Sequence, residues 1–305
     1  MGSGSSKINS GAVLSAGNSA TLSSYFNIAP YTVGQTAYKK YALVIGINYT
    51  GTSFSLNGCI NDALNVNKLL ESWGFETVVM TDNQTGALYP SKNNIISQIS
   101  NHIGKINEND ILVIFYSGHG ALITDTSGDE LSGKDSVIVP IDTKTQSYIS
   151  DDYIRSLLAP AKPNSKVLGI FDCCNSGSVC DLRYNYYDTS YRVNPGDKSS
   201  PFIIRTKTAT NSNYPETSAN IISISGCKDD QLSYETVIDG GKVGGALTYC
   251  LLKYVYENTP NITIEQLLLN IRSTLNSNGF NQVPSLMSGK TITPDTMTLA
   301  NYLNI

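Results

Sequence analysis

In two segments of the chain, a reactive side chain follows shortly after an apolar run. The run that starts at Ile111 leads to His119, which has a glycine on each side, and the run that starts at Val167 leads to Cys173 and Cys174. A thiol is a weak nucleophile until it is ionised, and a nearby imidazole can take its proton. Side chains that follow the strands of a parallel sheet gather at its carboxyl edge. The two segments therefore predict a Cys–His catalytic dyad.

The sequence offers alternatives for both members of this dyad. His102 is the other histidine of the chain, and its place in an amphipathic segment is typical of an ordinary helix-surface residue near a C-terminus. His119 is therefore the favoured base, with a turn histidine that has no role as the alternative. Alternation along a strand sends Cys173 and Cys174 to opposite faces, so one is expected to line the site and the other to be buried and inert. The pattern leaves open which is which. The backbone amides that follow Cys174 are candidate oxyanion donors.

The elements that must position these side chains alternate between strand and helix. The continuous apolar run at 41–48 is typical of a strand buried on both faces, and the isoleucines of 91–106 form the stripe of an amphipathic helix. The alternation predicts an α/β fold with a mainly parallel, right-handed central sheet and helices on both faces. Strands are predicted at 41–48, 75–80, 110–117, 166–172, 219–226 and 282–287, with a short segment at 136–141, and helices at 61–73, 91–106, 151–158, 244–257 and 264–275.

One domain is predicted over residues 37–305. Residues 1–36 are rich in Ser, Gly, Asn and Thr and are interpreted as a leader that is mobile or draped over that domain. A polar, Tyr- and Asn-rich stretch at 182–218 is predicted to be a long loop or linker, which is usually functional or disordered. The first residues fit the pattern for N-myristoylation at Gly2. Without a polybasic patch or second lipid signal, a flexible leader or a cloning remnant is the preferred interpretation.

Composition excludes several classes of function. The chain has 305 residues, 15% of them charged, and a formal net charge of -4, with no basic stripe that suggests nucleic acid. No apolar run approaches the roughly 18 residues that span a bilayer, and the leader lacks the apolar core of a signal peptide. The six cysteines lack zinc-ligand spacing and are read as reduced thiols. A cytoplasmic protein without a transmembrane segment is expected.

Several ordered blocks resemble the metacaspases, which are caspase-like cysteine peptidases. The two main blocks are Tyr-Ser-Gly-His119-Gly and Asp-Cys-Cys174-Asn-Ser-Gly-Ser, whose spacing is near the roughly 50 residues typical of caspases. Further similar stretches lie at 42–52, 56–63, 225–231 and 245–249, so the resemblance covers about 41–287. The chain departs from the family at Asn175, where histidine is frequent, and no loss of activity is expected from this change. The vertebrate caspase signature around the cysteine is absent.

The resemblance implies roles for particular residues. It makes Cys174 the nucleophile and implies an oxyanion hole at Gly120 and Cys174. It also implies cleavage after Arg or Lys, because the family's substrate pocket for the residue before the scissile bond (the S1 pocket) carries carboxylates that pair with a basic side chain. The alternatives are that Asp62 is an ordinary acid at a helix N-terminus and that Asp172 caps a loop amide. The pocket residues implied for this chain are Cys59, Asp62, Ser117 and Asp172.

The resemblance also implies a calcium site. Many metacaspases are calcium-activated, and their metal-binding acids correspond to Asp135, Asp151, Asp152 and Asp181. Calcium prefers several hard oxygen ligands. The alternative is a set of solvated loop acids, with Asp151 or Asp152 as a helix N-cap. An EF-hand loop over 125–136 fails, because Glu130 replaces the required glycine and Ser136 replaces the required glutamate.

The leading functional hypothesis is therefore a calcium-dependent cysteine endopeptidase that cleaves protein or peptide substrates after Arg or Lys. Such an enzyme could process itself at exposed basic residues, and the family implies that it acts as a monomer. One alternative is a catalytically silent, caspase-like interaction or regulatory protein, which the presence of both His119 and Cys174 disfavours. A non-proteolytic thiol hydrolase is the third possibility, which the acidic pocket disfavours. The candidate self-processing residues are Lys39, Lys40, Arg183, Arg192, Lys198, Arg205 and Lys207.

Overall fold

The computed structural model describes residues 8–13, 38–128, 133–143, 148–192, 202–227, 231, 233–238, 241–258 and 261–305. Its elements can be listed in chain order. The strands are β1 (Ile8–Val13), β2 (Lys40–Gly46), β3 (Glu76–Thr81), β4 (Ile111–Ser117), β5 (Gly120–Thr124), β6 (Lys134–Ile138), β7 (Ile149–Ser150), β8 (Lys166–Asp172), β9 (Tyr184–Arg192), β10 (Phe202–Thr210), β11 (Asn220–Ser225), β12 (Glu235–Val237), β13 (Val243–Gly245) and β14 (Ser285–Ser288). The helices are α1 (Cys59–Ser72), α2 (Lys92–Lys105), α3 (Asp151–Leu158), α4 (Ala246–Asn258), α5 (Ile264–Ser277) and α6 (Leu299–Leu303), with a 3₁₀ turn at Gly86–Leu88.

An eight-stranded sheet forms the centre of the molecule, in the order β10-β9-β14-β11-β8-β4-β2-β3. The strands β3, β2, β4, β8 and β11 are parallel to their neighbours in this group, whereas β14, β9 and β10 pair antiparallel. Strands β2 and β4 are buried along their whole length, because helices cover both faces of a parallel sheet. The predicted α/β class, with a mainly parallel sheet and helices on both faces, is confirmed.

Two apolar cores lie on the two faces of the sheet. Successive residues of β2 alternate between them, with Ala42 and Val44 in one core and Leu43 and Ile45 in the other. The first core contains the apolar stripes of α1, α4 and α5, and the second contains those of α2 and α3. At Gly46 a β-carbon would lie 2.3 Å from the Cys59 carbonyl oxygen. Glycine at this point therefore lets α1 begin directly against the end of β2.

The predicted long loop at 182–218 is wrong in part. Strands β9 and β10 occupy much of it as an antiparallel hairpin with continuous register from Tyr184↔Thr210 to Arg192↔Phe202, and β9 extends the central sheet through β14. The segment is rich in Tyr and Thr, which suit a pleated, half-buried surface, although its polarity hides the strand pattern. Two small sheets, β5-β6-β7 and β1-β12-β13, complete the described strands. The leader contributes β1, which pairs parallel with β12. The remainder of 1–36, including Gly2, lies outside the described residues.

Candidate active site

His119 and Cys174 lie just beyond the carboxyl ends of adjacent parallel strands. Strand β4 pairs with β8 up to the register Ser117↔Asp172, and both chains then leave the sheet. The two residues are buried, His119 at 6% and Cys174 at 2% exposure. A β-carbon on Gly120 would lie 2.0 Å from the Cys174 carbonyl oxygen. The backbone after the histidine therefore packs directly against the cysteine, and only glycine permits this approach.

The His119 imidazole is held by the segment that follows β2. Its Nε2 lies 2.7 Å from the Phe54 carbonyl oxygen, and its ring packs against Tyr49 at a centroid distance of 4.6 Å. A carbonyl can only accept, so Nε2 carries the proton and Nδ1 carries the lone pair. Nδ1 is buried and has no hydrogen-bond partner within the described ranges. Burial lowers the pKa of His119, partly offset by the Phe54 hydrogen bond. The imidazole is therefore a neutral base with Nδ1 as its acceptor.

The Cys174 thiol has backbone partners of its own. Its Sγ lies 3.3 Å from the Ser233 amide nitrogen, which donates to it, and 3.5 Å from the Ser233 carbonyl oxygen. Burial raises the pKa of the Cys174 thiol to about 11, although the Ser233 hydrogen bond lowers it. Burial therefore favours the neutral thiol over the thiolate. Attack by sulfur then requires a base to take the proton, and His119, at the end of the adjacent strand, is the candidate.

Cys173 occupies a different environment from Cys174. It belongs to the apolar core on the α2 and α3 face of the sheet, and burial raises the pKa of its thiol well above the usual range. Strand β8 ends at Asp172, so strand alternation does not extend to the two cysteines, and both of them are buried and line the cavity beside the nucleophile. The amide of Asn175 donates to the Gln231 carbonyl oxygen at 3.1 Å. Among the candidate oxyanion donors after Cys174, the Asn175 amide is therefore already paired within the chain.

The four pocket residues named from the sequence come together next to Cys174. Asp62 accepts hydrogen bonds from Ser117 Oγ at 3.0 Å and from the Gly245 amide at 2.9 Å. Asp172 accepts from Ser233 Oγ at 2.6 Å and from the amide and hydroxyl of Thr248 at 2.9 and 2.7 Å. The Cα of Gly245 separates the two carboxylates, since a β-carbon there would meet both of them.

A third carboxylate, Glu235, belongs to the same pocket and is absent from the sequence prediction. Its oxygens accept from the amides of Asn57 and Gly58 at 2.9 and 2.5 Å, and Cys59 Sγ lies 3.9 Å away. It sits on β12, a strand of three residues that the sequence pattern does not reveal. The one usable signal is an acid that follows shortly after the family-like stretch 225–231. We call Asp62, Asp172 and Glu235 the acid pocket.

The electrostatics of the acid pocket are unusual. All three carboxylates are buried, and burial raises the pKa of each of them. Repulsion from Asp172 raises the pKa of Asp62 further, while hydrogen bonds from Gly245 and Ser117 oppose the rise. The cavity beside Cys174 is lined by Asp172, Glu235, Cys59 and Ser117, with no lysine or arginine among its described lining residues. Its volume is about 10 Å³, room for roughly one water molecule. The pocket is therefore acidic and small.

The structure also gathers most of the predicted metal-binding acids. One oxygen from each of Asp135, Asp151 and Asp152 lies within 4.8 Å of the others; we call these residues the aspartate triad. Asp151 accepts from the Ser136 amide at 2.6 Å and begins α3, whose N-cap is Ser150 rather than Asp151 or Asp152. Asp181 lies outside this set but acts electrostatically, together with Asp151, on the thiol of Cys180 between them. The donors are hard carboxylate oxygens at convergent spacing, which fits Ca²⁺.

Two other predictions need correction. His102 is not a surface residue, because it is 6% exposed and its Nδ1 lies 2.7 Å from the Gln98 carbonyl oxygen of the same helix. Lys40 is not an exposed processing site, because it is 6% exposed and its Nζ donates to the Trp73 carbonyl oxygen. Lys39 and Lys207 are exposed, and Arg183 donates to the Tyr214 carbonyl oxygen. Lys198 and Glu130 lie outside the described residues.

Comparison with known proteins defines the class to which this fold and site belong. The family model of the caspase domain matches residues 39–294. The chain therefore belongs to the caspase-domain family of cysteine peptidases, and its relatives within that family are metacaspases. It is 33% identical to Metacaspase-1 of Scheffersomyces stipitis, covering 81% of this chain and 70% of that protein. It is 35% identical to Metacaspase-1A of Neurospora crassa, covering 84% of this chain and 64% of that protein.

Other relatives agree with this placement. Metacaspase-1 of Saccharomyces cerevisiae strain S288c is 31% identical, over 86% of this chain and 69% of that protein. The chain thus spans about two thirds of the length of these relatives. Among solved structures, protein GSU0716 from Geobacter sulfurreducens superposes with a TM-score of 0.60 at 23% identity, over 85% of this chain and 97% of that one. This last likeness concerns the fold alone. Within the described ranges, no helix has the length and apolar character to cross a bilayer.

Proposed function

We propose that the protein is a calcium-dependent cysteine endopeptidase that cleaves after Arg or Lys, with Cys174 as nucleophile and His119 as base. The acid pocket is the observation that carries the specificity. Three buried carboxylates lie beside the nucleophilic thiol, and the described cavity lining supplies no basic side chain to neutralise them. A buried carboxylate is costly unless it is paired. A substrate guanidinium or ammonium group supplies the missing positive charge.

The reaction begins when Cys174 Sγ attacks the carbonyl carbon of the scissile bond. As the C–S bond forms, the thiol proton passes to the Nδ1 lone pair of His119, and the carbonyl oxygen becomes an oxyanion. The backbone amides of Gly120 and Cys174 are the proposed donors to that oxyanion. Burial disfavours the charged form of both side chains, which favours attack and proton transfer in one step.

The intermediate then collapses, and the C–N bond breaks. His119 returns its proton to the leaving amine, which departs as the new N-terminus, and a thioester links the substrate to Cys174. Water attacks the thioester, His119 accepts one of its protons, and the C–S bond breaks to release the carboxylic acid. The proton on His119 restores the thiol. The Phe54 carbonyl stabilises the imidazolium at each stage through the Nε2 proton.

Calcium is the proposed cofactor, with the aspartate triad and Asp181 as its ligands. Asp181 follows Cys174 by seven residues. A bound calcium ion would supply positive charge that offsets the repulsion among these acids. The triad would then hold β6 to the start of α3, and Asp181 would restrain the loop after the nucleophile.

The cavity of about 10 Å³ cannot admit an arginine side chain as it stands. The lining of the cavity must therefore rearrange when substrate binds, and Ser233, which is part of that lining, also holds the Cys174 thiol. Cleavage of its own chain is proposed at exposed basic residues such as Lys39. All six cysteines are free thiols, which fits the proposed cytoplasmic location, and a monomer is the proposed state.

The test is hydrolysis of fluorogenic peptides ending in Arg, Lys or Asp by the full chain, with calcium or with chelator. Arg and Lys peptides should be cleaved in calcium only, and Cys174→Ala should abolish cleavage. Cys250→Ala is the matched control, because this buried thiol lies on α4 in the apolar core and is not among the described lining residues of the cavity, and it should retain activity. Equal cleavage after Asp would contradict the proposed specificity, and equal rates with chelator would contradict the role of calcium. Wild-type protein without any cleavage would favour the alternative of a silent, caspase-like interaction protein.

A further inference from the structure

Two buried tyrosine hydroxyls hold the backbone of His119. The His119 amide donates to Tyr49 Oη at 2.9 Å, and Tyr116 Oη donates to the His119 carbonyl oxygen at 2.8 Å. Both tyrosines are fully buried, and their hydroxyl oxygens lie 3.1 Å apart. The amide of the histidine is thus satisfied by a side chain, and its carbonyl accepts from a second side chain. In an ordinary strand end, a backbone amide would bond to a neighbouring strand or to water.

The same two hydroxyls also form hydrogen bonds with the backbone of Val139. Tyr49 Oη donates to the Val139 carbonyl oxygen, and Tyr116 Oη receives a hydrogen bond from the Val139 amide at 3.2 Å. Val139 also donates its amide to the His119 carbonyl oxygen at 3.1 Å. The tyrosine pair therefore links the histidine to the segment that directly follows β6, the strand that carries Asp135.

The backbone of Tyr49 shows that its position is imposed. Its φ of 52° lies in the left-handed region, which an aromatic residue rarely adopts. Such a conformation persists only where surrounding contacts over-determine it, and it is frequent at functional sites. Tyr49 also packs its ring against the His119 imidazole at 4.6 Å. One strained residue thus contacts both the ring and the backbone of the proposed base.

We propose that Tyr49 and Tyr116 are positioning residues that fix His119 in the orientation in which Nε2 bonds to Phe54 and Nδ1 keeps its lone pair for the thiol proton. This inference rests on the proposed function only where it predicts kinetics. Burial raises the pKa of both hydroxyls well above their usual value, so they remain neutral donors at every working pH. Without Tyr49 Oη the His119 amide would be buried with no acceptor, and the residue would shift to satisfy it.

The kinetic test compares Tyr49→Phe and Tyr116→Phe with Tyr302→Phe. Tyr302 is the matched control: it is equally buried and its hydroxyl donates to the carbonyls of Val167 and Asn220, at the opposite end of β8. The two positioning variants should lower kcat by about thirtyfold to a hundredfold with KM little changed, as expected for a misplaced catalytic group. Tyr302→Phe should lower the melting temperature but leave kcat unchanged. An equal fall of kcat in Tyr302→Phe would overturn the inference.

A spectroscopic test needs no peptidase activity. The chain contains two histidines, so a histidine-labelled protein gives two imidazole spin systems, and His102 serves as the internal reference. In Tyr49→Phe, water should reach a looser His119, and the pKa of this imidazole should rise toward its usual value while that of His102 stays constant. The acidic limb of the kcat profile should move to higher pH by the same amount, because the base must be neutral. A His119 titration identical to wild type would refute the positioning role, and wild-type protein without activity would refute only the proposed function.

Discussion

The acid pocket and the aspartate triad contain the same chemical group in two different arrangements. In the pocket, backbone amides and hydroxyls hold each carboxylate separately, and Gly245 separates Asp62 from Asp172. In the triad, oxygens from three side chains converge within 4.8 Å, and this is the one group of that kind among the described residues. Charge alone therefore does not distinguish the two sites; the spacing of the oxygens does.

This difference in spacing corresponds to a difference in the cation that each site suits. A guanidinium or ammonium group arrives on a long stem and forms directional hydrogen bonds with acceptors that surround a cavity. A calcium ion is compact and needs several oxygens directed at one point. Dispersed, individually fixed carboxylates fit the first kind of cation, and convergent carboxylates fit the second. The following experiments are arranged to separate these two behaviours.

The largest expected effect is on the acid pocket. Asp172→Asn should lower kcat/KM for an Arg peptide about a thousandfold, because the substrate cation would be buried without its partner. The measurement is the rate of peptide hydrolysis at low substrate concentration. Asp110→Asn is the matched control, since Asp110 is also buried and accepts from the amides of Lys39 and Asn107 at the opposite edge of the sheet. If Asp110→Asn loses as much activity, the effect of Asp172 is on folding and not on specificity.

The next effect concerns the aspartate triad. Asp151→Asn should weaken calcium binding about tenfold or more, because it removes one of the few charged ligands. At one hundred times its dissociation constant, calcium should stabilise the folded wild type by about 2.7 kcal/mol through mass action, and the melting temperature should rise accordingly. This rise should be lost in Asp151→Asn. Asp125→Asn is the control, because Asp125 lies in the segment that fails as an EF-hand and binds the amides of Ser127 and Gly128. An equal loss in that variant would contradict the assignment of the triad.

The sequence predicted the parts of the molecule that depend on apolar pattern. The runs that form β2, β4, β8 and β11 are buried on both faces, so their continuity alone indicates a parallel sheet. The positions of His119 and Cys174 follow, because residues after neighbouring parallel strands must lie together. The hairpin β9–β10 was missed, because its strands are polar and Tyr-rich and lie at the edge of the sheet. Pattern cannot distinguish such an edge strand from a loop.

The details of the site were harder to predict, for a different physical reason. Glu235 lies on a strand of three residues that contacts the start of α1, and a contact so distant in the chain leaves no local signal. Phe54 acts through its backbone carbonyl, which any residue could provide. The amphipathic pattern predicts His102 at a helix surface near a C-terminus, yet the residue is buried and its Nδ1 lies 2.7 Å from the Gln98 carbonyl oxygen of its own helix. The place of each of these residues depends on tertiary contacts, which the sequence pattern does not show.

A smaller effect should appear in the dependence of stability on pH. Burial raises the pKa of Asp62 and Asp172 above the unfolded value of about 3.9. At pH values between the unfolded pKa and the raised folded pKa, the folded protein binds more protons than the unfolded chain. The free energy of unfolding should therefore fall as pH rises through the raised pKa values. Affinity for an Arg peptide should change in the opposite direction, because only ionised carboxylates pair with it. Thermal melting from about pH 4 upward, with and without an Arg inhibitor, measures both trends.

The matched variant for this experiment is Asp62→Asn combined with Asp172→Asn. It should flatten the pH dependence of stability of the free protein, and it should remove the pH dependence of inhibitor affinity. If the free energy of unfolding of the wild type rose with pH over the same range, the pKa values of Asp62 and Asp172 would not be raised in the folded protein. Stabilisation by calcium serves as the comparison, because calcium should act at the aspartate triad whether or not an Arg inhibitor occupies the acid pocket.

The smallest expected effect tests how the pocket holds one carboxylate. Ser117→Ala removes the hydroxyl that donates to Asp62 at 3.0 Å, while the Gly245 amide remains. Losing this bond should raise the pKa of Asp62 further and cost about 1 kcal/mol, so KM for Arg and Lys peptides should rise roughly fivefold with kcat unchanged. Ser136→Ala is the control, because Ser136 Oγ lies 3.1 Å from Ser178 Oγ beside the aspartate triad. Ser136→Ala should alter the affinity for calcium. It should leave KM for Arg and Lys peptides unchanged when calcium is saturating. If both variants change KM equally, the pocket and the triad are coupled, and their separation by oxygen spacing would not hold.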